Sequence, residues 1–315
     1  MTSLSAAPLD PDSLVLGVDV GGTTVKAEIA DGDGQVVAAR AVTTPSGPAA
    51  LDAIGEVGDQ AISDLSDSAR GRVARAAIGV PGSVDRERGI AVLSANIGWR
   101  DLPVTDALAG RWHVPVLLDH DVTLAGWAEW RLGAGRGCDD LCFVAVGTGV
   151  ASAHVVDGRL LRGGLGGVGE IGHLPVRVDG RLCGCGAYGC VETLASAASI
   201  ARTYTERTGR PVTGAEEIVA RRATDAVAGE VWDDAVAALA DGLLPVVYLL
   251  SPSRIVIGGG LSQAGQVLTS ALQAALVARV RVTPVPPVVV GEYGPRSGVV
   301  GATLLARTGG TQDAR

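Results

Sequence analysis

A chain of 315 residues that is 47% hydrophobic, 19% charged and 3% aromatic is long enough for one large or two ordinary domains and too apolar to stay disordered. Its 45 glycines carry no Gly-X-Y period, which excludes collagen, and a formal charge of −8 offers no basic field to nucleic acid or an anionic membrane. Five cysteines, an odd number with three of them packed into positions 183–190, suit a metal site in a reducing compartment better than a disulfide framework.

The first twelve residues lack the basic and apolar regions of a signal peptide, and no apolar run reaches the roughly 18 residues of a membrane span. Residues 14–20 read as a strand, Gly21-Gly22 as a tight turn and 23–30 as a second strand. No helix follows those glycines, so they are not a dinucleotide fingerprint. Leu51, Ile54, Val57, Ala61, Ile62 and Leu65 keep a helical period. A strand at 76–80 stops at Pro81-Gly82, another follows at 114–118, and 122–132 continues as a helix carrying Trp127 and Trp130. Strands alternating with helices predict an α/β layer structure.

Residues 141–146, the turn Gly147-Thr148-Gly149 and residues 150–156 repeat the strand, glycine turn, strand plan of residues 14–30. Two halves that open alike predict a duplicated fold with a cleft between its parts. Beyond them come a helical stretch at 191–208, a capping-box start at Thr213 with Glu216, and a long helix at 231–250 that Pro245 should kink. A buried-type strand at 254–257 ends in Gly258-Gly259-Gly260, a short strand occupies 288–290, and a last helix at 298–306 leads into a tail at 308–315.

The strongest local signal is His173-x9-Cys183-x-Cys185-x4-Cys190. Three thiolates and one imidazole complete a tetrahedral zinc site with no open position, the usual form of a structural site. Cys138 and Cys142 fall outside that spacing and read as free buried thiols. Asp19, Gly21, Gly22, Thr23, Thr24 and Lys26 form a second candidate: a turn rich in backbone N–H groups and hydroxyls suits phosphate, and the acid suits Mg²⁺. A Gly-Gly hairpin alone is most often only a turn, and Gly147-Thr148-Gly149 is no stronger by itself. Their matching positions in the two halves suggest that both grip one polyphosphate. No GxxxxGK[ST] loop is present. His113 and His154 read as structural, and Trp99, Trp112, Trp127 and Trp130 as core.

DVGGTTVK at 19–26, GVPGSVD at 79–85, NIGW at 96–99, GTG at 147–149, EIGH at 170–173, CGCGAYGCVE at 183–192 and IGGGLS at 257–262 stand in the order found in the ROK family, which the chain resembles from about residue 14 to 306. That family comprises bacterial sugar kinases related to glucokinase, their repressor relatives and N-acetylmannosamine kinases. The resemblance implies the actin-like, ribonuclease-H-like ATPase fold, two α/β domains around a cleft. Here it implies an N-terminal domain over 1–120, joined by a C-terminal helix at about 297–315, and a larger domain over 121–296 with the zinc site.

By the same resemblance Asp121 is the catalytic base. Glu170, His173 and Glu192 contact sugar hydroxyls, with His173 also a zinc ligand, and Gly82, Asn96 and His120 lie in sugar-pocket segments. Asp19, Gly21, Gly22, Thr23, Thr24 and Lys26 match the first phosphate motif. Gly147, Thr148 and Gly149 match the second, and Gly258, Gly259 and Gly260 match the adenosine motif. Taken without the resemblance, Asp121 reads as an ordinary helix N-cap and Glu170 or Glu192 as a solvated acid. Two departures stand out. His120 replaces the Asn common before the base, and Ala151-Ser152-Ala153 follows the second turn where glycines are usual.

The expectation is therefore a cytoplasmic ATP-dependent hexose kinase using Mg²⁺ and structural Zn²⁺, most simply acting on glucose O6. Its partners are a sugar and ATP, with no nucleic acid or membrane, in a homodimer or homotetramer. Polyphosphate is the other possible phosphoryl donor. His120 keeps an amino-sugar kinase (N-acetylmannosamine, N-acetylglucosamine or kanosamine) or a cyclitol kinase as the alternative. A non-catalytic sugar sensor is the second alternative, weakened by the retained Asp19 and Asp121. A DNA-binding repressor is disfavoured by the acidic charge and by the dozen or so residues ahead of the first strand.

Overall fold

A computed structural model describes residues 9–94, 96–164 and 167–310. Residues 1–8 and 311–315, where much of the leader and tail readings fall, lie outside the described residues. In chain order the strands and helices are β1 (Leu14–Val20), β2 (Thr24–Ala30), β3 (Val36–Thr43), α1 (Ala49–Ser63), α2 (Asp67–Arg70), β4 (Val73–Val80), β5 (Ser83–Asp85), β6 (Ile90–Ser94), β7 (Trp99–Pro103), α3 (Val104–Trp112), β8 (Val116–His120) and α4 (Asp121–Arg131). They continue as β9 (Leu141–Val146), β10 (Val150–Val156), β11 (Arg159–Leu160), α5 (Glu192–Ala195), α6 (Ala197–Thr208), α7 (Ala215–Arg221), α8 (Ala226–Leu250), β12 (Arg254–Gly258), α9 (Gln266–Arg279), β13 (Val288–Val290) and α10 (Ser297–Thr308). Among the described residues no helix is long and apolar enough to cross a membrane.

The chain divides into two compact units. One comprises Met1–Ala128, Arg162–Gly166 and Arg296–Arg315; the other comprises Glu129–Leu161 and Gly167–Pro295. The first unit holds a five-stranded sheet in the order β3-β2-β1-β4-β8. β1 runs antiparallel to β2 and parallel to β4, and β4 runs parallel to β8. β1 and β4 are apolar almost throughout and almost wholly buried, the pattern of central strands covered on both faces. α10 packs on β1 and β4, α1 on β2 and β3, and α3 on β8. β5, β6 and β7 form a separate three-stranded sheet in the same unit. Arg296, just ahead of α10, makes a bidentate pair with Glu28 of β2, both N···O distances being 2.8 Å.

The second unit repeats the plan with β11-β10-β9-β12-β13. β9 is antiparallel to β10 and parallel to β12, and β12 is parallel to β13. The duplication read from the paired glycine turns is thus a duplication of whole sheets. Trp232, Tyr204 and Phe143 are buried here, and α8 packs against α5, α6, α7 and α9. Trp99, Trp112, Trp127 and Trp130 are buried as expected, and Cys138 and Cys142 are buried free thiols.

Two local readings need correction. The residue bonded to Thr213 is Glu217, whose Oε1 accepts both the backbone N–H (2.8 Å) and the hydroxyl (2.7 Å) of Thr213. α7 begins one residue late, with Gly214 as its N-cap, so Glu217 and not Glu216 takes the third helical position. α8 starts at Ala226 because the Asp225 carboxylate accepts the N–H groups of Val227 and Ala228, and it runs on through Pro245 to Leu250.

Candidate functional site

In the first unit, β1, β4 and β8 run parallel and end together. Asp19 lies in register with Gly79, and Gly79 with Asp119. Loops beyond the carboxyl ends of parallel strands are where open α/β sheets bind ligands, and here those loops carry Gly21-Gly22, Pro81-Gly82 and the start of α4. The β1–β2 turn is closed by Gly21 N–H donating to Thr24 O (3.0 Å), and Thr44 braces it by donating its hydroxyl to Gly21 O (2.7 Å). Gly22 and Thr23 are left exposed at its tip. Lys26 pairs in register with Asp19.

Gly298, at the start of α10, explains how the helix approaches Asp19: a Cβ there would sit 2.4 Å from Asp19 Oδ1. Burial, and secondarily the charge of Asp121, push the Asp19 carboxyl up to about 7, against the opposing pull of Lys26. A buried carboxyl raised partly by a neighbouring carboxylate suits a divalent cation.

Asp121 opens α4. Its Oδ1 accepts the N–H of Val122 at 2.7 Å and lies 3.3 Å from His120 Nε2. The other face of the same imidazole has Nδ1 3.4 Å from Thr123 Oγ1. Asp119, two residues before Asp121, is buried and takes a bidentate pair from Arg162 (2.7 and 2.8 Å), with Arg86 at 3.4 Å. Burial alone would raise its carboxyl, but the two guanidiniums hold it below the ordinary carboxylate value. Asp119 Oδ1 also accepts the N–H of His120 at 2.8 Å, fixing the strand end from which Asp121 projects. Gly82 is packed on the end of β6, against Leu93 and Ser94, and Asn96 is exposed in the loop that follows.

In the second unit the turns after β9 and β12 meet. Gly259 has φ +77°, and a Cβ on it would stand 2.5 Å from Val146 O; one on Gly147 would stand 3.7 Å from Gly260 N. Gly147, Thr148, Gly149, Gly258, Gly259 and Gly260 therefore form one glycine-lined ledge at the strand ends. Glu192 lies beside it: its Oε2 accepts the N–H of Val150 at 3.0 Å, and Ala197 N–H donates to Gly147 O at 2.8 Å.

The single helical turn Ile171–His173 follows Glu170, and Glu170 Oε2 lies 3.7 Å from His173 Nε2. His173 Nδ1 faces the other way, 3.5 Å from Cys183 Sγ, and Cys185 Sγ lies 3.7 Å from Cys190 Sγ. All four ligand atoms lie within 4.8 Å of one another. A tetrahedral zinc with bonds of about 2.3 Å spaces sulfurs roughly 3.8 Å apart, so the cluster fits such an ion. Burial, then the neighbouring thiols, push Cys190 up to about 12, which only a cation would reverse.

Two side chains lay beyond sequence reasoning, Arg162 half-buried and Glu129 fully buried. Arg162 is 43 residues from the Asp119 it holds. Glu129 is fully buried and accepts the N–H groups of Ala134, Glu292 and Tyr293, a structural acid rather than a reactive one. His154 is buried with Nε2 2.8 Å from Ser152 Oγ, and burial brings it down to about 4, so it is neutral.

A sequence profile described as the ROK family matches residues 15–309. A glucokinase of Streptomyces coelicolor is 30% identical over 316 residues, covering 93% of this chain and 98% of that protein. An N-acetylmannosamine kinase of Yersinia pseudotuberculosis is 32% identical, covering 93% and 98%. Among solved structures, a ROK family glucokinase from Streptomyces griseus in complex with glucose and AMPPNP superposes with a TM-score of 0.83 at 30% identity, covering 94% of this chain and 99% of that one. The two sheets of like order are accordingly those of the actin-like, ribonuclease-H-like ATPase fold.

Proposed function

The chain belongs to the ROK family, and on that footing we propose that it is a hexokinase-type phosphotransferase that moves the γ-phosphoryl group of ATP to O6 of glucose. The observation that carries the reading is Asp121 at the end of β8. Among the described residues its Oδ2 holds no hydrogen bond, while Oδ1 is taken by Val122 N–H. Oδ2 receives the proton of the sugar hydroxyl as O6 forms its bond to phosphorus and the bond to the β,γ-bridging oxygen breaks, releasing ADP.

Glu170 and Glu192 supply acceptors and His173 an Nε2–H donor for the other sugar hydroxyls, and Gly82, Asn96 and His120 complete the sugar-side segments. The backbone N–H groups and hydroxyls of Gly21, Gly22, Thr23 and Thr24, with Lys26, match a phosphate-holding turn. Gly147, Thr148 and Gly149 match a second such turn, and the Gly258-Gly259-Gly260 turn beside it takes the adenosine. Mg²⁺, held by Asp19, spreads the charge developing on the phosphates when bound. Zn²⁺ would be held by His173 Nδ1, Cys183, Cys185 and Cys190 and would tie the EIGH turn to the cysteine loop.

An amino sugar is the alternative acceptor. It is favoured by the N-acetylmannosamine kinase similarity, which matches the glucokinase one in coverage, and by His120 where the family commonly has Asn. The enzyme is read as cytoplasmic and as a homodimer or homotetramer. ADP release measured with glucose, N-acetylmannosamine, N-acetylglucosamine, kanosamine and a cyclitol, each with ATP and with polyphosphate as donor, tests the reading. The highest kcat/KM is expected for glucose with ATP. A higher value for an amino sugar would replace the glucose assignment, and no turnover with any sugar would favour a non-catalytic sensor.

A further inference from the structure

We infer that Gly298 is a positioning residue for Asp19: because it has no side chain, the Asp19 carboxylate keeps the orientation in which it holds Mg²⁺. This rests on the reading of Asp19 as the Mg²⁺ carboxylate and adds to it the residue that sets where that carboxylate points.

Gly298 is the second residue of α10 and is buried there with ordinary helical backbone, so no turn or positive φ calls for glycine. Helix propensity alone favours Ala at such a position. The space beside the residue supplies the reason. A Cβ on Gly298 would stand 2.4 Å from Asp19 Oδ1, 2.5 Å from Cγ and 2.7 Å from Oδ2, so the whole carboxyl group lies where a methyl would go. The backbone of Asp19 is fixed in β1, in register with Lys26 of β2 on one side and Gly79 of β4 on the other. α10 is fixed as well. Arg296, just ahead of it, pairs with Glu28 of β2 at 2.8 Å, and near its end Ala306 O accepts from the buried Arg75 of β4 at 3.0 Å. Between those anchors the helix lies on β1 at Gly17, where a Cβ would stand 2.6 Å from Thr303 N, and on α4 at Gly301, where one would stand 2.1 Å from Leu124 O. Strand and helix are held, and the carboxyl group at the end of a short side chain is what yields to a methyl at 298.

The test compares Gly298→Ala, Asp19→Asn, Asp19→Ala and the double variant Asp19→Ala/Gly298→Ala. Calorimetry gives the Kd of ADP with Mg²⁺, of ADP in EDTA and of glucose, and Tm is taken without metal or nucleotide. Gly298→Ala is expected to weaken binding of ADP with Mg²⁺ roughly 10- to 100-fold, the span for a group that orients a metal-holding carboxylate. ADP in EDTA and glucose should bind as in wild type. In the Asp19→Ala background the carboxyl no longer fills the space, so Gly298→Ala should raise Tm, as Ala for Gly does in an ordinary helix. With Asp19 present that gain should be absent or reversed. A wild-type Kd for ADP with Mg²⁺ in folded Gly298→Ala overturns the proposal, and so does the same change of Tm in both backgrounds. If Gly298→Ala does not fold, recovery of folding in the double variant supports the proposal and failure to recover overturns it. Asp19→Asn separates the two levels. Unchanged affinity for ADP with Mg²⁺ in that variant removes the Mg²⁺ reading itself, whereas a weakened Asp19→Asn beside a wild-type Gly298→Ala rejects only the role of Gly298.

Discussion

Glu192 Oε2 accepts the backbone N–H of Val150 at 3.0 Å, so an acid assigned to the sugar also holds the strand that leaves the Gly147-Thr148-Gly149 turn. The Val150 N–H belongs to a buried residue and has a real cost if left unpaired, about 1–3 kcal/mol. Glu192→Ala should lower stability by about that amount and weaken sugar binding. Glu192→Gln, which still offers a carbonyl oxygen to Val150, should keep a near-normal Tm while losing sugar affinity. Thermal unfolding and calorimetry of the two variants check this; equal Tm losses would show that the N–H bond is not what Glu192 contributes to the fold.

Asp19 gives a pH prediction of definite sign. Its carboxyl is raised to about 7 in the folded chain against 3.8 for the ordinary side chain. The folded state thus binds the extra proton, and the contribution of Asp19 to stability is full below the ordinary value and lost as pH rises through 7. In the absence of Mg²⁺ and nucleotide, Asp19→Asn should raise Tm more at pH 8 than at pH 5, the gain vanishing only below about pH 4. The same variant should lose kinase activity, the usual conflict between a strained functional carboxylate and stability. A Tm gain of equal size at both pH values would remove the titration argument.

The metal cluster predicts about one zinc per chain, lost more readily in acid. Thiols that stand near their protonated values without a metal, Cys190 at about 12 among them, must release protons when an ion binds. Chelator should therefore strip the protein faster at pH 6 than at pH 8, and Cys183→Ser should lower both Tm and metal content. Protein isolated metal-free with full activity would contradict the assignment.

Arg162 and Asp119 form the pair whose loss should be felt most. Asp119 is 2% exposed, and removing one partner of a buried ion pair costs about 3 kcal/mol or more. Arg162→Met is expected to show that loss in chemical denaturation at pH 7. Asp119 is held below its ordinary value, so the contribution is present at neutral pH and is lost as pH falls through the depressed value. The gap between wild type and Arg162→Met should accordingly close in acid. A gap independent of pH would assign the effect to packing.

The strands that alternate cleanly or run apolar were legible from residues alone: β1, β9 and β13 begin and end where the sequence placed them. β3 was not, because six of its eight residues are exposed and it has no buried stripe to announce it. The β5–β7 sheet has strands of three to five residues, too short for a period to register, and α9 buries only four of fourteen residues. At the site, the glycine turns and the Cys/His spacing are local patterns and were readable. The Asp119–Arg162 pair spans 43 residues of chain and depends on tertiary contact, so no local signal carried it. The His120 contact with Asp121 lay in plain view as adjacent residues, but only the fold shows which imidazole nitrogen faces the carboxylate.

The most direct measurement is the rate of ADP release from ATP with saturating glucose, comparing wild type with Asp121→Asn. The account predicts turnover by the wild type, a kcat lower by roughly 10²- to 10⁴-fold in the variant, and a glucose Kd close to wild type. A variant with near-wild-type kcat would contradict it.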